Sequence, residues 1–480
     1  MKLIHSTLIL FLLISLSAFT QDAYKPAHSN AHPKYVFLFI GDGMGLAHVN
    51  AAEAFRAAQQ NRIGIEKLTI SKFPIQSFAT TYAGNRYITC SAAAGTALAS
   101  GFKTSINTIG MDLDRKKPLE SIAAKAHQKG LKVGIITTVS LNHATPAAFY
   151  AHQPDRNNYY EIACEMPLTG FDYFAGGSLK DSTGKKNDKP NVFDLFPKNA
   201  YTLVRTKQAF NNLKPGMGKV YAINPEYGSE CEMPQVLDRT AASISLADFT
   251  QKGIEMLYNP KGFFMMVEGG QIDWACHNND GASSIQEVYD FDAAVAKAVE
   301  FMHQHPKETL IIVTADHETG GMALGYAEMK YESDFKLLAH QKISLANLQD
   351  STKLAIAKQY DLEKGFAAAM KIVERNIGLG KPIKLNATDS LQLKTAFLAS
   401  GAKLMPLPTP EANKALYGGI EPLAATAVKI LNQKAGIGWT TWSHTGIPVP
   451  VRAIGAGQDW FQGYLDNTDV PNTIIKLMGL

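Results

Sequence analysis

Eight side chains able to bind a cation are spread along the chain inside short, recognisable strings. They are Asp42 in "GDGMG", Thr145 in "LNHATP", Glu268 and Asp273 in "VEGGQID", His277 in "DWACH", Asp316 and His317 in "TADHETGG", and His444 in "TWSHTGIPVP". Taken singly, each has a bland reading. Asp273 and His277, four residues apart, reach one ion from a helical turn, but such a pair is more often a surface ion pair. Adjacent Asp316 and His317 fit an Asx turn, Glu268 a loop acid, and a loop histidine such as His444 is usually structural. Asp42 between glycines argues against a dinucleotide loop, because its carboxylate repels a pyrophosphate unless a cation stands between them. Jointly the odds change. Asp273, His277 and His444 make one nitrogen-rich set suited to zinc, and Asp42, Asp316 and His317 make a second. Thr145, Glu268 and a shared Asp42 oxygen make a hard, oxygen-only third set suited to magnesium.

Those residues need a scaffold that delivers them to one place. "KYVFLFI" breaks at Asp42, "LKVGIITTVS" runs into His143 and Thr145, "GFFMMV" precedes Glu268, and "TLIIVT" precedes Asp316. Runs apolar at every position fit strands buried on both faces, and helical text such as "SLADFTQKGIEMLY" and "IQEVYDFDAAVAKAVEFMHQH" lies between them. The layout predicts an α/β fold: a three-layer sandwich with a central, mostly parallel β-sheet flanked by helices. In such sheets the carboxyl ends of the strands share one rim, where ligands bind.

Ile88 to Gly101, "ITCSAAAGTALASG", places Ser91 at the head of a run almost without side chains. A helix-packing seam accounts for the alanines. It does not account for the serine.

Six strings in this order resemble the alkaline phosphatase family over most of the chain: "IGDGMG", "SAAAGTALASG", "HATPAAFYAH" followed by Arg156, "VEGGQID" with His277, "TADHETGG" and "SHTG". The resemblance implies phosphate monoester hydrolysis through a phosphoserine on Ser91, with Arg156 gripping the phosphoryl oxygens. It also implies zinc on each of the first two sets, two per chain, one magnesium on the third, and a homodimer. Inorganic phosphate would be product and ligand. Three positions depart from the best-known pattern. Cys90 precedes the nucleophile where an arginine-orienting aspartate is usual, His143 stands where some members have Asp, and Trp274 follows Asp273. Cys90 is expected to lie beside the nucleophile and Arg156, and His143 and Trp274 near the magnesium set. A phosphodiesterase or sulfatase of the same superfamily is the nearest alternative, but "CSAAAGT" lacks the Pro and Arg that sulfatase maturation needs. A metal- or phosphate-binding protein without turnover would be expected to lack Ser91 or Arg156, and both are present.

The whole chain is consistent with this. Its 480 residues exceed one ordinary core, and a net charge of +4 without a basic block argues against nucleic-acid-specific binding. Residues 1–20 read as a signal peptide, too short to span a bilayer, so the protein is expected to be exported, periplasmic or secreted, with no membrane span. Residues 21–480 read as one catalytic domain, in which 325–436, rich in Ala, Lys and Leu, form a helical insertion or cap before the last metal ligand. Cys164 and Cys231 are a candidate bridge; Cys90 and Cys276 read as buried thiols.

Overall fold

The computed structural model describes residues 31–327, 329–357, 362–400 and 408–480; the signal-peptide reading falls outside them. The apolar runs become strands. In chain order these are β1 (Tyr35–Ile40), β2 (Ile75–Thr80), β3 (Lys132–Thr137), β4 (Tyr173–Gly176), β5 (Tyr201–Val204), β6 (Lys219–Ile223), β7 (Phe263–Glu268) and β8 (Thr309–Thr314). Four two-residue strands follow: β9 (Glu318–Thr319), β10 (Ala323–Leu324), β11 (Ile437–Gly438) and β12 (His444–Thr445). The last are β13 (Val449–Gly455) and β14 (Tyr464–Asp466). Ten of them form one sheet in the order β14-β2-β13-β8-β1-β7-β3-β4-β6-β5, in which β13 alone runs antiparallel to its neighbours.

The side-chain period of two splits each central strand between two cores. Tyr35, Phe37 and Phe39 join Met265, Val267, Ile311 and Val313 on one face, under the helices Leu246–Leu257 and Gly281–Gln304. Val36, Leu38 and Ile40 join Phe264, Met266, Leu310 and Ile312 on the other, under Ser91–Ser100, Ile122–Gln128 and Asp469–Met478. Both faces are therefore covered, which is the three-layer α/β arrangement. The register also levels the strand ends, since Ile40 pairs with Glu268 and Thr314, and Glu268 pairs with Thr137. Four chain segments thus leave the sheet together along one rim.

Between β10 and β11 the chain forms helices Leu345–Ala357, Leu362–Ile377, Ala387–Ala399, Pro410–Tyr417 and Pro422–Ala435. Leu423, Val428 and Leu431 of the last one enter the same core cluster as β1 and β8, so this block is packed on the sheet layers. Its main polar tether is Asp280, fully buried at the start of helix Gly281–Gln304. The carboxylate accepts from Ser283 N (3.1 Å) and Ser283 Oγ (2.6 Å), from Gln341 Nε2 (2.8 and 2.9 Å) and from Leu345 N (2.8 Å). Asp280→Ala should destabilise the protein by about 2–4 kcal/mol, since it removes a cap and strands buried donors. Urea unfolding measures this, and equal midpoints for the variant and the parent would contradict it.

All four cysteines are free thiols. Cys164 and Cys231 are not bridged; Cys276 is buried as read, whereas Cys90 is only half-buried.

Candidate metal centre and active site

The segments leaving the rim carry the predicted ligands inward. After β1 the chain turns at Gly43, whose φ of +71° favours glycine. A Cβ there would meet Thr319 Oγ1 at 2.8 Å and Asp273 Oδ1 at 2.9 Å, so only glycine lets the Asp42 loop pass this close. After β8 come Asp316 and His317, and the β9–β12 ladder sets His444 opposite Thr319. After β7 the short helix Gln271–His277 presents Asp273 and His277 on one face.

Asp42, Asp316 and His317, all fully buried, converge. His317 Nε2 lies 3.3 Å from Asp42 Oδ1, 3.3 Å from Asp316 Oδ2 and 3.3 Å from Ser91 Oγ. Neither carboxylate oxygen has a hydrogen-bond partner among the described residues. Buried polar atoms are rarely left so, and ligands about 2.0–2.1 Å from a tetrahedral zinc stand roughly 3.3 Å from one another. The donor set fits a cation at its centre.

The first set is assembled likewise. His277 Nε2 is 3.1 Å from His444 Nε2 and 3.3 Å from Asp273 Oδ2, and His444 Nε2 is 3.6 Å from Asp273 Oδ1. His277 Nδ1 is held by Trp442 O (2.7 Å) and His444 Nδ1 by Thr89 O (2.9 Å). A carbonyl only accepts, so each Nδ1 carries a proton and each Nε2 faces inward. The two sets adjoin: the His317 and His444 rings stack at 3.6 Å, and Asp273, His317 and His444 also bring donor atoms within 4.8 Å of one another.

The third set gathers Asp42, Glu268 and Thr145, with His143 among them. Asp42 and Glu268 bring oxygens within 4.8 Å of a ring nitrogen of His143, while Thr145 Oγ1 donates to Asp42 Oδ2 at 3.3 Å. Thr137, level with Glu268 across β3 and β7, donates to Glu268 Oε2, and Glu268 Oε1 has no hydrogen-bond partner among the described residues. A ring nitrogen of His143 thus lies among donors that could hold an ion, and an imidazole there would make the set softer than an oxygen-only one. Trp274 packs edge-on against that ring at 5.8 Å. Arg156 Nη2 donates to His143 Nε2 at 3.0 Å, so the guanidinium borders the same set.

Ser91 begins the helix Ser91–Ser100, in which every residue is buried. The small side chains let this helix lie close to its neighbour: a Cβ on Gly95 would come within 3.2 Å of Thr145 Cα. The packing-seam reading of the alanines therefore holds. At the head of this helix the serine hydroxyl stands 3.3 Å from His317 Nε2. Among the described residues the partner of Cys90 is main chain and that of the guanidinium is His143. Cys90 Sγ accepts from Asn107 N (3.1 Å), and Asn107 O accepts from Arg156 N (2.8 Å), so the thiol holds the main chain beside Arg156.

Without a cation this arrangement is electrostatically tense. Burial, then the neighbouring carboxylates Asp316, Asp273 and Glu268, push Asp42 well above the usual range. Burial raises Glu268 to about 8 and, with Asp273, Asp316 to about 7. Burial holds His143 at about 3 and also lowers His317 and His444. Burial opposes protonation of His277 as well, but the Asp273 carboxylate outweighs it and lifts His277 to about 9. Such clustered shifts mark a functional site.

Sequence reading missed Thr319, whose Oγ1 donates to Asp273 Oδ1 at 2.5 Å and lies 3.2 Å from His317 Nδ1. The signal was there, since residues two apart in an extended segment share a side.

The profile of the alkaline phosphatase family matches residues 33–172 and 169–480. The chain is 33% identical over 478 residues to alkaline phosphatase 4 of Bacillus subtilis, covering 96% of this chain and 92% of that one. Its fold is similar to a cold-active alkaline phosphatase from a psychrophilic Shewanella species, with a TM-score of 0.76, 30% identity, and coverage of 92% and 99%. It is also similar to an alkaline phosphatase variant from the Antarctic bacterium TAB5, with a TM-score of 0.63, 25% identity, and coverage of 94% and 99%. In that variant glutamate replaces a histidine and Mg is bound in the M3 site. With most of its length matched and a buried ligand cluster at the strand ends, the chain belongs to the alkaline phosphatase family and is a metal-dependent phosphoric monoester hydrolase.

Proposed function

We propose that the enzyme hydrolyses phosphate monoesters in two displacements through a phosphoserine on Ser91. One observation carries this reading: Ser91 Oγ, Asp42 Oδ1 and Asp316 Oδ2 each stand 3.3 Å from His317 Nε2, so the hydroxyl occupies a ligand's place in a cation site. Zinc held by Asp42, Asp316 and His317, and by Asp273, His277 and His444, would lower the serine hydroxyl's pKa and neutralise charge on the leaving oxygen. Magnesium on Asp42, Glu268 and Thr145, with His143 beside them, completes the set; the magnesium-bearing TAB5 variant supports a third site of this kind.

In the first displacement the Ser91 Oγ–phosphorus bond forms and the ester oxygen–phosphorus bond breaks, the alcohol leaving with the proton that Ser91 gave up. In the second, the oxygen of water bonds to phosphorus as the Ser91 Oγ–phosphorus bond breaks, a proton from that water returns to Ser91 Oγ, and inorganic phosphate leaves. The unpaired N–H groups at the start of helix Ser91–Ser100 favour the phosphoryl charge, and Arg156 supplies a planar fork for its oxygens. Residues 21–480 act as one catalytic domain, with 325–436 as a cap. The enzyme works as an exported homodimer, periplasmic or secreted; among the described residues no helix is long and apolar enough to cross a membrane.

Metal analysis of the purified protein, with parallel assays on aryl monoester, diester and sulfate ester, tests the reading. Two zinc ions per chain and monoester preference are expected; diester or sulfate preference, or full activity after exhaustive chelation, would sink it. Cys90→Asp gives a finer test. A carboxylate at this position reaches for the guanidinium that the thiol leaves to His143. Inhibition by inorganic phosphate should tighten by about 3–10-fold, within the range of one charge-assisted contact. An unchanged inhibition constant would show that Cys90 has no bearing on Arg156.

A further inference from the structure

We infer that Thr319 is a positioning residue that couples the two zinc sets, fixing one ligand of each through a single hydroxyl; this rests on the two-zinc reading above. Thr319 is fully buried, and its place is set from two sides. Its N–H donates to Gly43 O at 3.1 Å, in the loop that carries Asp42, and it pairs with His444 across β9 and β12. From there Oγ1 reaches Asp273 Oδ1 at 2.5 Å and His317 Nδ1 at 3.2 Å.

The direction of this chain is forced. An ionised carboxylate only accepts, so the hydroxyl proton goes to Asp273. The oxygen then has only lone pairs left for His317, so Nδ1 carries the imidazole proton. Nε2 is thereby left unprotonated and faces Asp42, Asp316 and Ser91. His277 and His444 take their Nδ1 anchors from main-chain carbonyls, which hold one ring each. A carbonyl could not do what Thr319 does, because joining a ring N–H to a carboxylate needs a group that both accepts and donates. Asp273 belongs to the first set and His317 to the second, so a cation that draws on either ligand alters the partner's hydrogen bond. By linkage the effect on the two affinities is reciprocal.

Zinc binding to the metal-stripped enzyme, measured by competition with a chromophoric chelator, tests this with Thr319→Val and Thr319→Ser beside the parent. Valine keeps the shape and removes the hydroxyl; serine keeps the hydroxyl. The valine variant should bind both zinc ions about 10–100-fold more weakly, the usual cost of losing an outer partner of a ligand. The serine variant should return both affinities to within a few-fold of the parent. Weakening at one set only, at neither, or equally in the serine variant overturns the coupling. A parent that does not take up two zinc ions refutes the two-zinc reading itself. Should the valine variant not fold, nitrogen NMR of the stripped parent decides: His317 protonated on Nδ1 supports the inference, and protonation on Nε2 overturns it.

Discussion

Hydrolysis of a simple aryl phosphate is expected to fall by roughly 10³–10⁵-fold in Ser91→Ala, with zinc content and thermal stability close to those of the parent. The size follows from what is removed and what remains. Deleting a nucleophile from an assembled hydrolase site costs up to about 10⁶ in kcat, and the surrounding electrostatic cradle retains part of the acceleration. Here the cradle is extensive, because Asp42, Asp316, His317 and Arg156 all remain, so water attack within it sets the residual rate. The change is clean in structural terms. Ser91 is the first residue of its helix, Oγ is not the cap, and alanine is a good helix former, so the helix is not weakened. Steady-state kinetics with metal analysis on the same preparation checks this. Activity within tenfold of the parent at normal zinc content would mean that the hydroxyl next to His317 is not the attacking group.

The extent to which this site could be read from sequence depended on how each residue is positioned. Asp42 and Asp316 were legible because an unbroken apolar run stops just before them, and parallel strands in register deliver whatever follows to a common rim. Asp273 and His277 were legible because helical spacing places them on one face. The four-residue strands β4 and β5 were not picked out, being too short to show a period. His444 enters the first set only through the joint count of donors, since its place is fixed by a two-residue ladder with β9 that leaves no pattern in the chain. His143 was read as a neighbour of the third set. Its ring orientation depends on the contacts with Arg156 and Trp274, which spacing cannot encode. Thr319 was passed over because a threonine carries no ligand signature; its role appears only once Asp273 and His317 are brought together from segments over forty residues apart.

Stripping the metals should abolish activity and, less obviously, make stability fall as pH rises into the alkaline range. In the stripped protein Asp316 titrates near 7, Glu268 near 8 and Asp42 well above its usual value, each chiefly through burial. Such groups hold protons in the folded state that the unfolded chain has already lost, so stability falls as pH rises through the folded values. His277, lifted to about 9 by Asp273 against the effect of burial, acts in the same direction above its unfolded value. The depressed histidines His143, His317 and His444 act oppositely, but only below about 6.5, where the unfolded imidazoles still bind protons. Between about pH 6.5 and 9, then, every large contribution points downward, and their sum is on the order of 5 kcal/mol at about 1.4 kcal/mol for each full unit. In the loaded enzyme the cations have already displaced these protons and neutralise the carboxylates, so no such loss arises. Melting curves at pH 6.5, 7.5 and 8.5, in chelator and in zinc with magnesium, should diverge steadily as pH rises. Parallel curves would mean that Asp42, Glu268 and Asp316 do not share a metal-compensated charge, and the cation sites would have to be sought elsewhere.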